Sequence, residues 1–206
     1  MSQLAELLQG LKIIPVLTVE SVEDAVAVCK ALQAGGIHGV EITLRSAAAL
    51  DAIKAVKAQF NNFTVAAGTI KTQQDVETLK KLDVAFGVSP GISAELIACA
   101  KANNFAFLPG VASPSELMLG LAHGLTEFKL FPAEAVGGIP LLKSLAAPFP
   151  EAKFCPTGGV SPDNYQSYLS LPNVLCVGGS WMVAPDLIAK KQWDEITRLS
   201  KRCGSR

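Results

Sequence analysis

Eight short apolar runs alternate with segments of helical periodicity along almost the whole chain, and this alternation constrains the fold more than any other feature. The segments between the runs are rich in alanine and leucine, with apolar residues three and four positions apart, which is typical of amphipathic helices. A strand followed by a helix, repeated about eight times, predicts a parallel sheet with helices packed outside it. The predicted strands are residues 12–18, 39–44, 63–68, 84–89, 105–110, 127–131, 153–158 and 174–179.

Eight strand–helix units favour a closed (β/α)8 barrel, the TIM-barrel fold, whose lower size limit is about 200 residues. The alternative is a doubly wound open sheet, which normally carries a glycine-containing phosphate loop after its first strand. The segment at the end of the first predicted strand, VLTVES, contains no glycine, so the barrel is the better interpretation. No linker, low-complexity run or break in composition divides the chain. We therefore predict an α/β protein, a (β/α)8 TIM barrel with a short N-terminal helix, in which residues 1–206 form a single domain.

The composition excludes several classes of function. The formal net charge is +0, from 18 basic and 18 acidic residues, and this balance lacks the basic footprint of a nucleic-acid-binding protein. No apolar run is long enough to span a bilayer, and the N-terminus lacks the features of a signal peptide. Five scattered cysteines without a C-x-x-C pair argue against a disulfide framework. We therefore expect a cytoplasmic protein that acts on a small molecule, without nucleic acid or a membrane as partner.

The chain has two histidines, His38 and His123, which are too few for a histidine-rich zinc centre. Both precede predicted strands, at the end of a barrel that lies opposite its active site. We therefore predict that the protein uses no metal and no cofactor.

The segment EFKLFPAE places Lys129 inside a predicted buried strand. Lysine is almost never fully buried unless it is paired or has a chemical role. In a barrel the apolar side chains of a strand point outwards under the helices, so the polar residues that alternate with them point inwards. In VEITLR the inward set is Glu41, Thr43 and Arg45. The second and sixth strands stand opposite each other in an eight-stranded barrel, so we expect Glu41 and Lys129 to converge near its C-terminal end.

A lysine and a carboxylate in these positions can catalyse carbonyl chemistry. Burial disfavours the charged form of a lysine side chain, and the neutral amine adds to a carbonyl group to form a Schiff base. The protonated imine withdraws electrons, so a neighbouring bond can break if a proton shuttle is near, and Glu41 is placed for that task. The alternative is a purely structural pair of Lys129 and Glu41. Arg45 could bind a substrate carboxylate in a bidentate geometry, or it could be a surface arginine that begins the next helix.

Two glycine pairs lie where the seventh and eighth predicted strands end, and the loops at these ends commonly bind phosphate in such barrels. Glycine lets backbone N–H groups approach an anion closely, and the N-terminus of a helix supplies partial positive charge. A Gly-Gly pair alone is often only a turn, but two pairs at equivalent places favour a ligand. The predicted phosphate-binding residues are Gly158, Gly159, Gly178, Gly179 and Ser180.

The ordered motifs VEITLR, AAGT, VSPG, LPGV, KLFPAE, CPTGGV and VGGSWM resemble those of the 2-keto-3-deoxy-6-phosphogluconate (KDPG) aldolase family. The family is also known for 4-hydroxy-2-oxoglutarate aldolase activity. The resemblance covers about residues 8–200. It implies a class I, Schiff-base aldolase on a (β/α)8 barrel, usually a homotrimer. The implied reaction is the cleavage of KDPG to pyruvate and glyceraldehyde 3-phosphate in the Entner–Doudoroff pathway.

The resemblance also implies roles for individual residues. Lys129 in KLFPAE would be the Schiff-base lysine, and Glu41 in VEITLR would be the general acid/base, acting through a bound water. Arg45 would bind the carboxylate derived from pyruvate, and Thr69 in AAGT would hydrogen-bond the same end of the substrate. The remaining implied pocket residues are Thr157 beside the imine and the wall residues Pro90 and Phe131. The motif departs from the family at Ser46, where threonine or asparagine is frequent, and we expect Ser46 to cap the next helix.

Several alternatives remain open at this point. The catalytic residues do not separate KDPG cleavage from 4-hydroxy-2-oxoglutarate cleavage or oxaloacetate decarboxylation, because all three pass through a pyruvate enamine. The two glycine loops favour a phosphorylated substrate. A non-covalent phosphosugar isomerase or synthase on the same fold is an alternative of another class, and so is a non-catalytic ligand-binding barrel.

Overall fold

The computed structural model describes residues 2–204, in which parallel β-strands alternate with α-helices. The strands are β1 (Ile13–Leu17), β2 (Gly39–Thr43), β3 (Thr64–Gly68), β4 (Gly87–Val88), β5 (Phe107–Leu108), β6 (Gly110–Val111), β7 (Glu127–Leu130), β8 (Lys153–Pro156) and β9 (Val177–Gly179). The α-helices are α1 (Gln3–Leu11), α2 (Val22–Ala34), α3 (Ala49–Gln59), α4 (Gln73–Lys81), α5 (Ala94–Ala102), α6 (Pro114–Ala122), α7 (Gly138–Ala146), α8 (Tyr165–Leu169), α9 (Pro185–Ala189) and α10 (Trp193–Gly204). Two short 3-10 helices cover Glu134–Val136 and Trp181–Val183.

The strands form two parallel sheets. One has six strands in the order β5-β4-β3-β2-β1-β9, and the other has three in the order β6-β7-β8. Pro109 separates β5 from β6, so the extended segment 107–111 pairs with β4 through its first half and with β7 through its second. Two isolated parallel bridges connect the β8 region to the β9 region. One pairs Phe154 in β8 with Val174 just before β9, and the other pairs Thr157 just after β8 with Gly178 in β9. The predicted α/β class with parallel strands is therefore confirmed.

Each predicted strand region contains an observed strand, but several observed strands are shorter. In the fourth region, 84–89, only Gly87–Val88 forms a strand. Phe86 precedes that strand and is nevertheless fully buried. Apolar patterning reports burial, which extends beyond the residues that pair in the sheet, so it overestimates strand length.

Serine or threonine caps start five of the ten α-helices between residues 2 and 204, as the sequence indicates. Ser21, Ser93 and Ser113 each accept a hydrogen bond from a backbone N–H in the first turn of the helix that follows. The prediction for Ser46 is wrong, because α3 begins only at Ala49, after an intervening turn. The Ser46 hydroxyl instead donates to the carbonyl oxygen of Val19 at 2.5 Å. It thereby ties the loop after β2 to the loop after β1.

The apolar interior has two parts, which lie on opposite faces of the strands. The larger cluster joins strands to helices and includes Val40, Ile42, Phe128 and Leu130. The smaller cluster contains strand residues such as Val88 and side chains of α1. The inward and outward alternation predicted for β2 and β7 is therefore confirmed, since the apolar residues of both strands face the helices.

Helix α1 packs against the smaller cluster through the fully buried Leu8. At its N-terminus the Ser2 hydroxyl donates to Oε1 of Glu127, the first residue of β7, at 2.8 Å. The helix therefore covers the N-terminal ends of the strands and leaves their C-terminal ends open. None of the helices between residues 2 and 204 is long and apolar enough to span a membrane.

Candidate active site

Lys129 and Glu41 are in direct contact in the interior. Lys129 lies on β7 and Glu41 on β2, in different sheets, yet Nζ of the lysine is 3.2 Å from Oε1 and 3.4 Å from Oε2 of the glutamate. Both side chains are only 5% exposed. The ammonium also lies over the ring of Phe131, 5.2 Å from the centroid. The predicted convergence of the two residues is confirmed, and each charge has a partner, as a buried charge requires.

Gly68 makes room for the Glu41 carboxylate. It ends β3, the strand that pairs with β2, and a Cβ atom at this position would lie 2.0 Å from Glu41 Oε1. Any larger residue would displace the carboxylate. This role of Gly68 was not predicted from the sequence, although a glycine at the end of a buried strand is a known sign of close approach by another group.

Arg45 and Thr69 meet just beyond the ends of β2 and β3. Arg45 is exposed, and its Nε donates to Thr69 Oγ1 at 3.1 Å. Thr69 has φ of +66°, a left-handed conformation that a β-branched residue rarely adopts. Strain of this kind concentrates at functional sites. The conformation brings the threonine hydroxyl to the arginine, so the two residues form one polar unit.

The strain at Thr69 leads to a prediction about stability. Thr69→Gly should be more stable than Thr69→Ala by about 1 kcal/mol, because alanine keeps the Cβ clash of the left-handed conformation and glycine lacks it. Urea denaturation of both variants measures the difference. The same pair of substitutions at Thr64, where φ is not positive, is the control and should show the usual order, with alanine more stable. Equal stability of the two variants at position 69 would contradict the expectation.

A cavity of about 260 Å³ lies at the C-terminal ends of the strands. The predicted site residues that line it are Arg45, Phe131, Thr157, Gly158, Gly159, Gly178, Gly179 and Ser180. Lys129 and Glu41 are buried beside it, since the Lys129 ammonium contacts the ring of the lining residue Phe131. Pro90 is exposed and does not line the cavity; its backbone packs against Gly110. Its place in the pocket wall stays a prediction.

A second, larger cavity of about 670 Å³ lies at the opposite ends of the strands. It is bordered by α1 and by the segments that lead into β3, β4 and β5. None of the candidate catalytic residues lines it, so we place the site in the smaller cavity.

The two glycine pairs are needed for different reasons. Gly158 and Gly159 have φ of +97° and +82°, a region in which glycine is nearly free of steric cost. Gly178 lies opposite Thr157, and a Cβ atom there would approach Thr157 Oγ1 to 2.3 Å. At Gly179 a Cβ atom would collide with the ring of Trp181. The first pair therefore shapes a loop, whereas the second makes space for neighbouring side chains.

A hydrogen-bonded pair of threonines at the site was not predicted from the sequence. Thr18 and Thr43 are hydrogen-bonded through their hydroxyl oxygens at 2.7 Å. Thr43 is fully buried, and its hydrogen bond with Thr18 satisfies its hydroxyl. Thr18 also lines the cavity. The position of Thr18 in VLTVES, at the end of the first strand, was the sequence feature that could have predicted its place in the site.

Parallel strands flanked by helices, with an amine and a carboxylate in contact beside an open cavity, define an α/β enzyme suited to carbonyl chemistry. The chain belongs to the KDPG and KHG aldolase family, whose sequence model matches residues 4–199. The family inferred from the motifs is therefore confirmed, and with it the class of enzyme, a carbon–carbon lyase of the aldolase type.

Individual relatives resemble the chain over nearly its whole length. The 2-dehydro-3-deoxy-phosphogluconate aldolase of Pseudoalteromonas atlantica is 45% identical over 190 residues, which cover 92% of this chain and 88% of that protein. The KHG/KDPG aldolase of Escherichia coli K12 is 43% identical over 189 residues, covering 92% and 89%. A crystal structure of KDPG aldolase from Legionella pneumophila, with pyruvate captured at low pH as a covalent carbinolamine intermediate, is 42% identical. It matches 97% of both chains with a TM-score of 0.94.

Proposed function

We propose that this protein is a class I aldolase that cleaves KDPG to pyruvate and glyceraldehyde 3-phosphate through a Schiff base on Lys129. The observation that carries the proposal is the contact of the buried Lys129 ammonium with Glu41 beside the cavity. The names of the relatives and the covalent pyruvate of the Legionella protein support the same chemistry. The cytoplasm and a homotrimer are parts of the proposal that rest on the resemblance of the motifs.

The proposed scaffold is a closed (β/α)8 barrel that forms one domain from residue 1 to 206. Its support is the continuous path of strand neighbours. The segment 107–111 links the two sheets on one side, and the bridges from β8 to β9 link them on the other. Counting that segment once gives eight parallel strands.

In the proposed mechanism the first steps form the imine. Lys129 transfers a proton to Glu41, and the neutral amine attacks the carbonyl carbon C2 of the substrate to give a carbinolamine. The carbinolamine hydroxyl accepts a proton and leaves as water, so a protonated imine remains. The distance of 3.2 Å between Nζ and Oε1 is short enough for direct proton transfer.

The next steps break the carbon–carbon bond. Glu41, through a bound water, removes the proton of the C4 hydroxyl, and the C3–C4 bond breaks. Its electron pair moves towards the imine nitrogen to form an enamine, and glyceraldehyde 3-phosphate leaves. Glu41 then returns a proton to C3, and hydrolysis of the imine releases pyruvate and restores Lys129.

The two ends of the substrate have separate binding groups in this proposal. Arg45, held by Thr69, binds the C1 carboxylate, and Thr157 lies beside the imine. The phosphate is bound by the backbone of the glycine pairs and by the Ser180 hydroxyl. Residues on four different strand ends therefore orient one extended molecule, as is usual for this type of barrel.

A second activity is favoured by the separation of these groups. The lysine, the glutamate and the arginine act on the pyruvate half of the substrate and make no use of phosphate. The Escherichia coli relative carries the name KHG/KDPG aldolase. We therefore also propose cleavage of 4-hydroxy-2-oxoglutarate to pyruvate and glyoxylate, with oxaloacetate decarboxylation as the alternative use of the same enamine.

Borohydride trapping tests the covalent step. After incubation with pyruvate and sodium borohydride, intact-mass analysis should show a single lactyl-sized adduct, and peptide mapping should place it on Lys129. Lys129→Ala should show no adduct. Lys54→Ala removes an exposed lysine paired with Asp51, and as the control it should react like the wild-type protein. Absence of an adduct from the wild-type protein would overturn the Schiff-base mechanism and favour a non-covalent isomerase or synthase.

A further inference from the structure

Glu134 ends the KLFPAE motif, and the mechanism gives it no task. It opens the 3-10 helix that follows β7, and its Oε1 accepts a hydrogen bond from the hydroxyl of Tyr168 on α8. Tyr168 is fully buried, and its burial together with the nearby Glu134 carboxylate raises the pKa of the Tyr168 hydroxyl. The hydroxyl therefore stays protonated and continues to donate to Glu134. This contact holds the exposed Glu134 side chain against α8.

Glu134 lies directly on the glycine loop that follows β8. Its backbone N–H donates to the carbonyl oxygen of Gly158 at 3.0 Å. Its side chain packs so closely on Gly159 that a Cβ atom there would lie 2.5 Å from Glu134 Cγ. Gly158 and Gly159 have no side chains of their own to hold them in place, so the loop depends on such contacts for a fixed conformation.

A second anchor holds the other side of the loop. The carbonyl oxygen of Gly159 accepts from Nδ2 of Asn164 at 3.1 Å, and Asn164 Oδ1 accepts from the backbone N–H of Ser161 at 2.8 Å. Both glycine carbonyls are therefore occupied by donors of the protein.

Occupied carbonyls determine where the neighbouring N–H groups point. A trans peptide unit is planar, and its C=O and N–H groups point in opposite directions. The anchored carbonyls of Gly158 and Gly159 therefore turn the N–H groups of Gly159 and Val160 away from the anchors. Neither N–H group has a protein acceptor among residues 2–204. Both residues line the cavity, so two backbone donors are free for an anion.

We propose that Glu134, held by Tyr168, is a positioning residue that aims the N–H groups of Gly159 and Val160 at the phosphate of the substrate. The inference rests on the proposed function, because it assigns the phosphate end of that substrate to this loop. Glu134 touches no reacting atom. It links the strand that carries Lys129 to the loop that holds the phosphate, and so sets the distance between the two ends of the bound substrate.

Tyr168→Phe tests the proposal, since it removes the hydroxyl and keeps the buried ring. We expect the KM for KDPG to rise about tenfold, the effect of a lost charge-assisted hydrogen bond. The kcat for KDPG should stay within about twofold of the wild-type value, because Lys129 and Glu41 are unchanged in this variant. The KM for 4-hydroxy-2-oxoglutarate, which has no phosphate, should not change. Equal changes of KM for the two substrates, or no change for either, would overturn the proposal.

Further variants separate positioning from general damage. Glu134→Ala should raise the KM for KDPG as much as Tyr168→Phe does. The amide oxygen of Glu134→Gln still accepts a hydrogen bond from Tyr168, so the KM of this variant should lie between those of Glu134→Ala and the wild type. Tyr165→Phe, the same change on the same helix at a hydroxyl bonded to Gln166, is the control and should behave as wild type. Thermal unfolding shows whether each variant folds. If Tyr168→Phe or Glu134→Ala does not fold, the KM values of Glu134→Gln for the two substrates test the proposal instead.

Calorimetric titration with inorganic phosphate makes the outcome independent of turnover. If the wild-type protein cleaves neither substrate, the proposed function fails, but the loop is still tested. Weaker phosphate binding by Tyr168→Phe, by about tenfold, supports the positioning role, and unchanged binding overturns it.

Discussion

Lys129→Met is expected to lower kcat for KDPG cleavage on the order of 10⁴-fold or more, because the covalent nucleophile is removed. Methionine is unbranched and similar in length, so it fills the space without an amine. The same substitution leaves the buried Glu41 carboxylate, which is 5% exposed, without its partner. Removing one partner of a buried ion pair typically costs about 3–5 kcal/mol, so the variant should also lose stability by that amount.

The double variant Lys129→Met/Glu41→Gln separates the two effects. A neutral amide is far less costly to bury than an unpaired carboxylate, so most of the lost stability should return. Activity should not return. Urea denaturation measures the stability, and a coupled assay for pyruvate measures the cleavage. A single Lys129→Met variant that remains active would show that the pair is structural, which is the alternative that the sequence left open.

Gly68→Ala is the substitution with the second largest expected effect. The added methyl group would lie 2.0 Å from Glu41 Oε1, so the carboxylate must leave its place beside Lys129. A general acid/base in the wrong position should lower kcat roughly 10²–10³-fold. Overpacking should cost about 1–3 kcal/mol of stability. Because the lysine amine is still present, borohydride should continue to trap pyruvate on Lys129.

Two further variants test the reason for the Gly68→Ala effect. Adding Glu41→Asp shortens the carboxylate side chain, so the double variant should recover part of the lost kcat. Gly10→Ala in α1 is the control, because a Cβ atom there meets no other atom within 4 Å. It should keep full activity and gain about 0.5–1 kcal/mol of stability. Wild-type activity of Gly68→Ala would refute the steric explanation.

The contact of Lys129 with Glu41 could be predicted from the sequence because it follows from two regular properties. Alternating side chains fix which residues of a strand point inwards, and the order of strand–helix units fixes which strands face each other. The two glycine pairs were predictable for the same reason, since each lies where a strand ends at the site, the first just after β8 and the second at the end of β9. Structural features that follow from a regular repeat in the sequence could therefore be predicted.

The features that were missed depend on distances between atoms from separate strands. The close approach of Gly68 to Glu41 and the hydroxyl contact of Thr18 with Thr43 have no sequence periodicity of their own. Ser46 was assigned wrongly because the length of the turn before α3 follows from packing between loops. The division of the fifth strand at Pro109 also depends on which neighbour each half meets. Such details appear only when the strands have been placed together.

Lys129 and Glu41 are 88 positions apart in the sequence and belong to different sheets. A cut in the loop after β6, at residues 112–113, would therefore give two polypeptides that each contain half of the catalytic pair. Neither piece could form the imine and move the proton alone, so release of pyruvate would require the pieces to assemble. The two fragments could therefore serve as a split-enzyme reporter. If each fragment were fused to one of two binding partners, release of pyruvate would report that the partners bind each other.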